Sequence, residues 1–354
     1  MNLPFQTAPE SICILRLSAI GDVTHILPTL RSIQHQWPET RITWVIGKLE
    51  ATLVDDIEGV EFILFDKSSG WRAYQQLKQQ LQGREFDILL HMQVSLRASL
   101  ASLFIKAPVK LGFDRDRARN LQWLFSTHKI QSRNPRQHVL DGFLEFAHTI
   151  GIKQDVIRWD IPLPEGSAGL FAILGKERKY FVINPCSSST LRNWSAENYA
   201  SLIDYVHEHH DLNCVLTGGP ADHEKEFATL IQKHCQNKLV NLVGQTTLKQ
   251  LLAVLAHAEI VIAPDTGPVH MANASQTPVI GLYASSNPMR TGPYSWLDYV
   301  VNTYPSMLQQ ETGKTVEQCR WGKRVKKCDA MMSIQLDDVI DQFERCLKLP
   351  RDKT

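Results

Sequence analysis

Short apolar runs alternate with amphipathic stretches along the whole chain, a pattern typical of β-strands followed by helices. Strands that are apolar throughout indicate a parallel sheet with helices on both faces. The pattern predicts strands at residues 12–17, 41–46, 61–65, 86–91, 109–113, 180–184, 214–217, 239–242, 260–263 and 279–282. It predicts helices at residues 25–36, 49–56, 71–82, 95–106, 137–151, 196–210, 222–235, 248–257, 267–275 and 334–347.

The β/α alternation occurs twice, in two blocks of similar size. The 354 residues suit two domains, and the stretch IPLPEGSA at 161–168 is typical of a linker. We therefore expect an α/β protein with two doubly wound domains that face each other across a cleft. The predicted boundaries are 1–162, 163–332 and 333–354, and we expect the last segment to form a helix that packs back toward the first domain.

Composition narrows the class of protein. Hydrophobic residues make up 43% and charged residues 21%, as in ordinary globular proteins. Apolar stretches stay well short of the roughly 20 residues that a membrane helix needs, and residues 1–10 contain no Lys or Arg. Seven scattered cysteines favour a reducing compartment and show no zinc-ligand spacing. We therefore expect a cytoplasmic protein without a bound metal.

A net charge of +1 gives no general attraction for nucleic acid. The near-neutral total conceals two basic segments, however. Residues 106–136 contain eight Lys or Arg and two Asp, and residues 314–327 contain six Lys or Arg and one Glu. Such segments are either solvated faces or surfaces for an anionic partner. In the first segment, Arg115, Arg117 and Arg119 are the candidate residues for binding an anion.

The first strand is followed by a turn that contains Ser18, Gly21 and Asp22. Glycine permits a tight turn and close approach of a ligand. Ser18 or Asp22 fits the role of a helix cap. Alternatively, Asp22 fits a general base that takes a proton from a hydroxyl group.

Two further turns follow strands in the second half. Ser187, Ser188 and Arg192 lie in a loop whose hydroxyl groups, amides and guanidinium can hold phosphate oxygens, although a solvated loop has the same composition. After Gly218, Asp222 and Glu224 begin a helix. These acids either stabilise the helix dipole or bind a ribose diol.

A third segment, IAPDTGPVHMA at 262–272, places Asp265, Thr266 and Gly267 where a strand meets a helix. Amide groups at a helix start favour an anion, and Pro268 fits the first turn. His270 either supports this site or fills space between helix and sheet.

Four sequence blocks resemble glycosyltransferase family 9, the ADP-heptose:lipopolysaccharide heptosyltransferases. They are LRLSAIGDVTHILPTLRSI at 15–33, INPCSSSTLRNWSAENYASLI at 183–203, LTGGPADHEKE at 216–226 and VIAPDTGPVHMANASQTPVIGLYASSNP at 261–288. The resemblance implies a GT-B architecture of two Rossmann-like domains, an acceptor domain followed by a nucleotide-sugar domain. It also implies inverting transfer without a metal and with no cofactor beyond the ADP-sugar co-substrate.

The resemblance implies a role for most of these candidates. Asp22 matches the base that deprotonates the acceptor, and Ser18 and Gly21 beside it are expected to bind the acceptor. Asp265, Thr266 and Gly267 match the turn that contacts diphosphate and sugar, near His270. Arg192 stands where the family usually has Lys, beside Ser187 and Ser188. Asp222 or Glu224, after Gly218, matches the ribose-binding acid.

The expected acceptor is the anionic Kdo-lipid A or heptosylated core, held by Arg115, Arg117 and Arg119 at the cytoplasmic face of the inner membrane. Basic patches would support peripheral docking there. One departure is Cys186, where many members have Gly. Another nucleotide sugar or a later core position is an alternative, and so is a non-catalytic two-domain ligand-binding protein.

Overall fold

The computed structural model describes residues 3–131, 134–164 and 179–350. The chain divides into two compact units, Met1–Pro162 and Leu163–Thr354. The predicted linker at 161–168 extends beyond the described residues from position 165 onward.

The described part of the first unit contains a parallel sheet. Its strands are β1 (Ser11–Arg16), β2 (Arg41–Gly47), β3 (Val60–Phe65), β4 (Ile88–His91), β5 (Val109–Gly112) and β6 (His128–Lys129). Its helices are α1 (Ile20–Gln36), α2 (Lys48–Val54), α3 (Trp71–Gln80), α4 (Leu96–Ser102) and α5 (Val139–Ile150). The strand order is β3-β2-β1-β4-β5-β6.

The described part of the second unit repeats this plan. Its strands are β7 (Tyr180–Ile183), β8 (Asn213–Leu216), β9 (Val240–Asn241), β10 (Val261–Pro264), β11 (Val279–Tyr283) and β12 (Val301–Asn302). Its helices are α6 (Ala196–His209), α7 (Asp222–His234), α8 (Leu248–Ala256), α9 (Gly267–Ala274), α10 (Pro288–Thr291), α11 (Tyr304–Thr312) and α12 (Leu336–Leu347). The strand order is β12-β11-β10-β7-β8-β9, so the first strand of the unit again lies in the middle of its sheet.

The sheets form because their central strands are apolar on both faces. All six residues of β1 are buried, and all four residues of β10 are buried. In each sheet the strand order reverses between two neighbours, β1 and β4 in the first and β7 and β10 in the second. Ligands of open α/β sheets bind beyond the carboxyl ends of the strands at such a reversal. Three of the four turns singled out in the sequence follow β1, β7 and β10, and the fourth follows β8.

Helix α12 belongs to the second unit, which corrects the expectation that it packs toward the first. Its buried residues include Val339, Phe343 and Cys346. Phe343 packs edge-on against Phe181 of β7, with ring centroids 5.5 Å apart, and the Tyr205 hydroxyl of α6 donates to Glu344 at 3.1 Å. The apolar face of the helix is thus covered by the core of the second sheet.

All ten predicted strands and all ten predicted helices are present, with shifted ends. Helix α1 begins at Ile20, five residues earlier than predicted. The prediction began late because the polar residues Asp22 and Thr24 interrupt the apolar pattern near the start of the helix. Four elements were not predicted from the sequence: β6, β12, α10 and α11. Strands of two residues and a helix of four are too short to produce a periodic pattern. In the described residues, no helix is long and apolar enough to cross a membrane.

Candidate active site

Arg16, the last residue of β1, positions Asp22. Its guanidinium lies over the ring of Phe143, 5.2 Å from the centroid, and Nη1 donates to the carbonyl oxygen of Met92 at 2.5 Å. The same side chain forms an ion pair with the Asp22 carboxylate. Because Arg16 is only one-tenth exposed, it gives the carboxylate a partner in a fixed place. Arg16 was not among the predicted site residues, although a charged residue at the end of an otherwise apolar strand was a signal.

Asp22 lies in the first turn of α1 and also acts as a cap. The backbone N–H of Ala19 donates to its carboxylate at 3.4 Å. About a third of the side chain, 35%, remains exposed. Asp22 can therefore be both a helix cap and a general base, since its exposed oxygen can still accept a proton from a bound hydroxyl.

Gln93, which follows β4, connects the two strands at the reversal. Its side-chain oxygen accepts from the N–H of Leu17 at 2.6 Å, and its side-chain nitrogen donates to the hydroxyl of Ser18 at 3.0 Å. Gly21 lies in the first turn of α1, where its carbonyl oxygen accepts from the Thr24 hydroxyl at 2.7 Å. Gln93 holds the Ser18 turn in place, and nothing in the local sequence distinguished it.

The segment after β5 is anchored by Gln122, another residue that was not predicted from the sequence. Gln122 is fully buried. Its side-chain nitrogen donates to the carbonyl oxygen of His91 at 2.8 Å, and its side-chain oxygen accepts from the N–H of Phe113 at 3.3 Å. The arginines of residues 113–122 are thereby kept at the same edge of the sheet as Asp22.

The three arginines of this segment differ in their surroundings. Arg117 forms ion pairs with Asp114 and with the buried Glu145, the latter at 2.5 Å. Arg115 and Arg119 are exposed. Arg117 is therefore ion-paired within the unit, whereas Arg115 and Arg119 are accessible to an anion from solution.

In the second unit, Arg192 joins the loop after β7 to the end of β10. Its Nη1 donates to the carbonyl oxygen of Asp265 at 2.7 Å and to the Asp265 carboxylate at 3.0 Å. Its Nη2 donates to the hydroxyl of Ser188 at 2.8 Å. The buried Nε has no hydrogen-bond partner among the described residues. One donor of the guanidinium is thus left for a further acceptor at the point where the two loops meet.

The loop after β7 has an internally defined shape. Asn193 accepts from the N–H of Ser187 at 2.9 Å, and the Ser187 hydroxyl donates to the carbonyl oxygen of Ser189 at 2.8 Å. Cys186 is 3% exposed. Burial, together with the charge of Glu224, raises the pKa of its thiol to about 12. Cys186 therefore packs as a neutral side chain in the loop.

Helix α9 begins at Gly267, two residues after Asp265. Thr266 is its N-cap residue, but the Thr266 hydroxyl makes no capping hydrogen bond. Gly267 and Pro268 form its first turn. Helix starts of this kind expose N–H groups that bind phosphate. His270 is 7% exposed in α9, so its ring is buried inside the unit, and its support of the site stays a prediction.

The two acids at the start of α7 have opposite orientations. The N–H of Gly219 donates to the Glu224 carboxylate at 2.7 Å, and a Cβ at Gly218 would lie 2.9 Å from that carboxylate. Asp222 has a side chain that is 95% exposed. Of the two candidates for a ribose-binding acid, Glu224 lies within the turn and Asp222 points to solvent.

A family model described as glycosyltransferase family 9 (heptosyltransferase) matches residues 74–320. The chain is 41% identical to the lipopolysaccharide core heptosyltransferase OpsX of Haemophilus influenzae, over 96% of this chain and 98% of that protein. It is 24% identical to a lipopolysaccharide heptosyltransferase 1 of Escherichia coli, over 87% of this chain and 96% of that protein.

Solved structures resemble the fold over nearly its whole length. The glycosyl transferase family 9 protein of Veillonella parvula has a TM-score of 0.79 at 20% identity, covering 96% of this chain and 97% of that one. The Escherichia coli heptosyltransferase WaaC with ADP has a TM-score of 0.72 at 21% identity, covering 95% and 99%. With two Rossmann-like units in the chain itself, these likenesses confirm the predicted GT-B fold class.

Proposed function

The chain belongs to glycosyltransferase family 9, and from that premise we propose that it transfers heptose from ADP-heptose to the inner core of lipopolysaccharide. The observation that carries the proposal is the 41% identity, over nearly the full length, to a lipopolysaccharide core heptosyltransferase. Since the chain is a glycosyltransferase, the non-catalytic alternative is set aside. Another nucleotide sugar and a later core acceptor remain as arms of the test below.

The second unit binds the donor in this proposal. The diphosphate lies against the start of α9 and the loop of Ser187 and Ser188, where the free Nε of Arg192 donates to a phosphate oxygen. Glu224 accepts from the ribose diol, while Asp265 and Thr266 contact the sugar. These groups stabilise the negative charge that grows on ADP as it leaves. They supply that stabilisation without a metal ion, so we propose a metal-independent reaction.

The first unit supplies the base. Asp22 takes the proton of the acceptor hydroxyl, and the resulting oxygen attacks the anomeric carbon while the bond to the ADP oxygen breaks. A single displacement of this kind inverts the configuration at that carbon. Arg16 keeps the Asp22 carboxylate in one orientation, and Gln93 keeps the neighbouring turn in place.

The acceptor in this proposal is an anionic, lipid-anchored core sugar. Arg115 and Arg119 bind its acidic groups, whereas Arg117 positions the segment through Asp114 and Glu145. Such an acceptor is presented at the cytoplasmic face of the inner membrane, where a peripheral enzyme would meet it.

The test is ADP release by purified protein given ADP-heptose and deacylated Kdo-lipid A, with and without EDTA. Parallel reactions replace the donor with other nucleotide sugars and the acceptor with an already heptosylated core. We expect turnover with ADP-heptose that is unchanged by EDTA. Turnover with a different sugar only would reassign the donor, and activity that EDTA abolishes would contradict the metal-free mechanism.

The variant Asp22→Asn tests the proposed role of Asp22 as the base. It removes the basic carboxylate, while its amide oxygen can still accept the hydrogen bond from the Ala19 N–H. We expect a fall in kcat of about 10² to 10⁴ with ADP binding intact. Asp55→Ala, which removes an exposed carboxylate of the same unit, is the control and should leave kcat unchanged. Near-normal turnover by Asp22→Asn would remove the assignment.

A further inference from the structure

Large apolar side chains are exposed at two neighbouring elements of the first unit. Helix α4 packs against the 3-10 helix Gln122–Phe125. Exposed apolar residues are ordinary when scattered singly, but a group of them marks an interaction surface. We call the following five side chains the apolar face: Leu96 (54% exposed), Leu103 (59%), Leu121 (55%), Trp123 (49%) and Leu124 (58%).

In α4 the apolar positions form one stripe. Leu96, Leu100 and Leu103 follow one another at i, i+4 and i+7, so they lie on one side of the helix. Leu100 packs against the core of the first sheet, whereas the leucines before and after it are exposed. The stripe therefore extends beyond what the core covers.

The second element is held with its apolar residues outward. Asn120 and Leu121 both have left-handed backbones, with φ of 52° and 61°, a conformation that leucine rarely adopts. Between the exposed residues, the side chain of Gln122 is buried and donates to the carbonyl oxygen of His91 at 2.8 Å. The buried glutamine thus fixes the turn that exposes Leu121 and Trp123.

The charge around the apolar face is positive. Residues 96–129 contain seven Lys or Arg and two Asp. Arg97 and Arg119, close in sequence to Leu96 and Leu121, are exposed. Leucine and tryptophan that enter the headgroup boundary, with arginines beside them, are the side chains that bind anionic bilayers.

We propose that the apolar face, together with Arg97 and Arg119, docks the protein on an anionic lipid bilayer. The inference rests on the proposed function, since a lipid-anchored acceptor is presented at that surface. Trp123 and the four leucines enter the interface between headgroups and acyl chains. Arg97 pairs with a lipid phosphate, and Arg119 adds positive charge that attracts the anionic surface before it binds the acidic groups of the acceptor. The face lies on the unit that carries Asp22, so docking brings the proposed base to the surface that presents the acceptor.

The experiment is flotation of the purified full-length protein with two kinds of vesicle. One is phosphatidylethanolamine mixed with phosphatidylglycerol, and the other is phosphatidylcholine alone. We expect the protein to float with the anionic vesicles and to stay behind with the neutral ones. The double variant Trp123→Ser/Leu124→Ser should reduce the partition coefficient about tenfold. Arg97→Glu/Arg119→Glu should reduce it about tenfold and abolish the preference for anionic lipid.

Leu230→Ser is the matched control, because this leucine is 41% exposed on α7 of the second unit. It should float like the unchanged protein, and thermal unfolding should show that all variants are folded. Equal flotation of the Trp123→Ser/Leu124→Ser variant would overturn the proposal. Failure of the unchanged protein to float with anionic vesicles would also overturn the proposal. Binding of a protein partner through this face, without flotation, would count as such a failure.

Activity provides a second measurement. With a deacylated acceptor in solution, Trp123→Ser/Leu124→Ser should keep its kcat/KM, whereas with acceptor embedded in vesicles it should lose about tenfold. An equal loss on both acceptors would contradict docking as the role of the face. Flotation does not depend on turnover. If the protein binds vesicles through this face but does not use ADP-heptose, the proposed function is refuted and the docking proposal is not.

Discussion

Arg192 and Asp265 connect the two strands at the reversal of the second sheet, because the guanidinium Nη1 reaches both the carbonyl oxygen and the carboxylate of Asp265, at 2.7 and 3.0 Å. Both side chains are nine-tenths buried. A buried ion pair is costly to break from one side, since the remaining charge loses its partner. The pair therefore fixes the geometry of the proposed donor site, where Arg192 is also the proposed cation.

Replacing Arg192 should separate these two roles. Arg192→Lys keeps the charge but lacks the planar guanidinium that reaches both Asp265 and Ser188. We therefore expect the KM for ADP-heptose to rise about tenfold while the fold stays intact. Arg192→Met should lower the free energy of unfolding by about 3 to 5 kcal/mol. The measurements are steady-state kinetics and urea unfolding.

Arg345→Met is the control for both, because Arg345 is exposed on α12 of the same unit. It should change the free energy of unfolding by less than about 0.5 kcal/mol and leave the KM for the donor unchanged. If the Arg192→Lys variant keeps the KM of the unchanged enzyme, the guanidinium geometry is not needed for donor binding.

Replacement of Glu224 should weaken binding of the donor nucleotide, whereas replacement of Asp222 should not. Glu224→Gln keeps an oxygen for the Gly219 N–H but loses the charge, so we expect ADP to bind about tenfold more weakly. Asp222→Asn should have no effect, since its side chain is 95% exposed. Calorimetric titration with ADP and with 2′-deoxy-ADP checks both. If Glu224 binds the ribose, the deoxy analogue will bind Glu224→Gln almost as well as ADP does, and an undiminished preference for ADP would reject the contact.

Cys186 should be unreactive in the folded protein. Burial, with the charge of Glu224, raises its pKa to about 12, and thiolates rather than thiols are alkylated. Cys328 is exposed. With iodoacetamide at pH 8, peptide mass spectrometry should find Cys328 modified first and Cys186 modified only after urea is added. Rapid labelling of Cys186 without urea would show that the loop opens to solvent.

The repeated β/α order was predictable because buried parallel strands are apolar on both faces and therefore conspicuous in the sequence. The position of Asp22, Arg192 and Asp265 after strands was predictable because each stands in a polar stretch that follows an apolar run, and their roles stay predictions. Helix α12 was misplaced because an amphipathic pattern specifies which face is buried but not which core covers it. Only the structure shows Phe343 against Phe181.

The supporting residues of the site were not predictable in the same way. Gln93 and Gln122 act through backbone groups of strands far away in the chain, such as Leu17 and His91. A glutamine side chain has no local signature for such a contact. The same applies to Arg117, whose partner Glu145 lies on α5, so the sequence could not separate it from Arg115 and Arg119.

His91 should make the stability of the protein depend on pH. It is fully buried at the end of β4, and neither ring nitrogen has a hydrogen-bond partner among the described residues. Burial, reinforced by the charge of Lys110, lowers its pKa to about 3. Between that value and the usual pKa of about 6.5, the unfolded chain binds a proton that the native state does not bind. Stability is therefore complete above about pH 6.5 and falls as the pH is lowered, by at most about 1.4 kcal/mol per pH unit.

His91→Gln removes the titrating group, so its stability should fall less than that of the unchanged protein between pH 7 and pH 5. We expect a difference of about 2 kcal/mol in the change of unfolding free energy, measured by urea unfolding at the two pH values. His207→Gln, an exposed histidine of α6, is the control and should keep the full pH dependence. Because the comparison is between two pH values within each variant, any constant cost of placing glutamine in the core cancels. An identical pH dependence in His91→Gln and the unchanged protein would mean that the ring is protonated in the folded state, and that its site is more polar than its burial indicates.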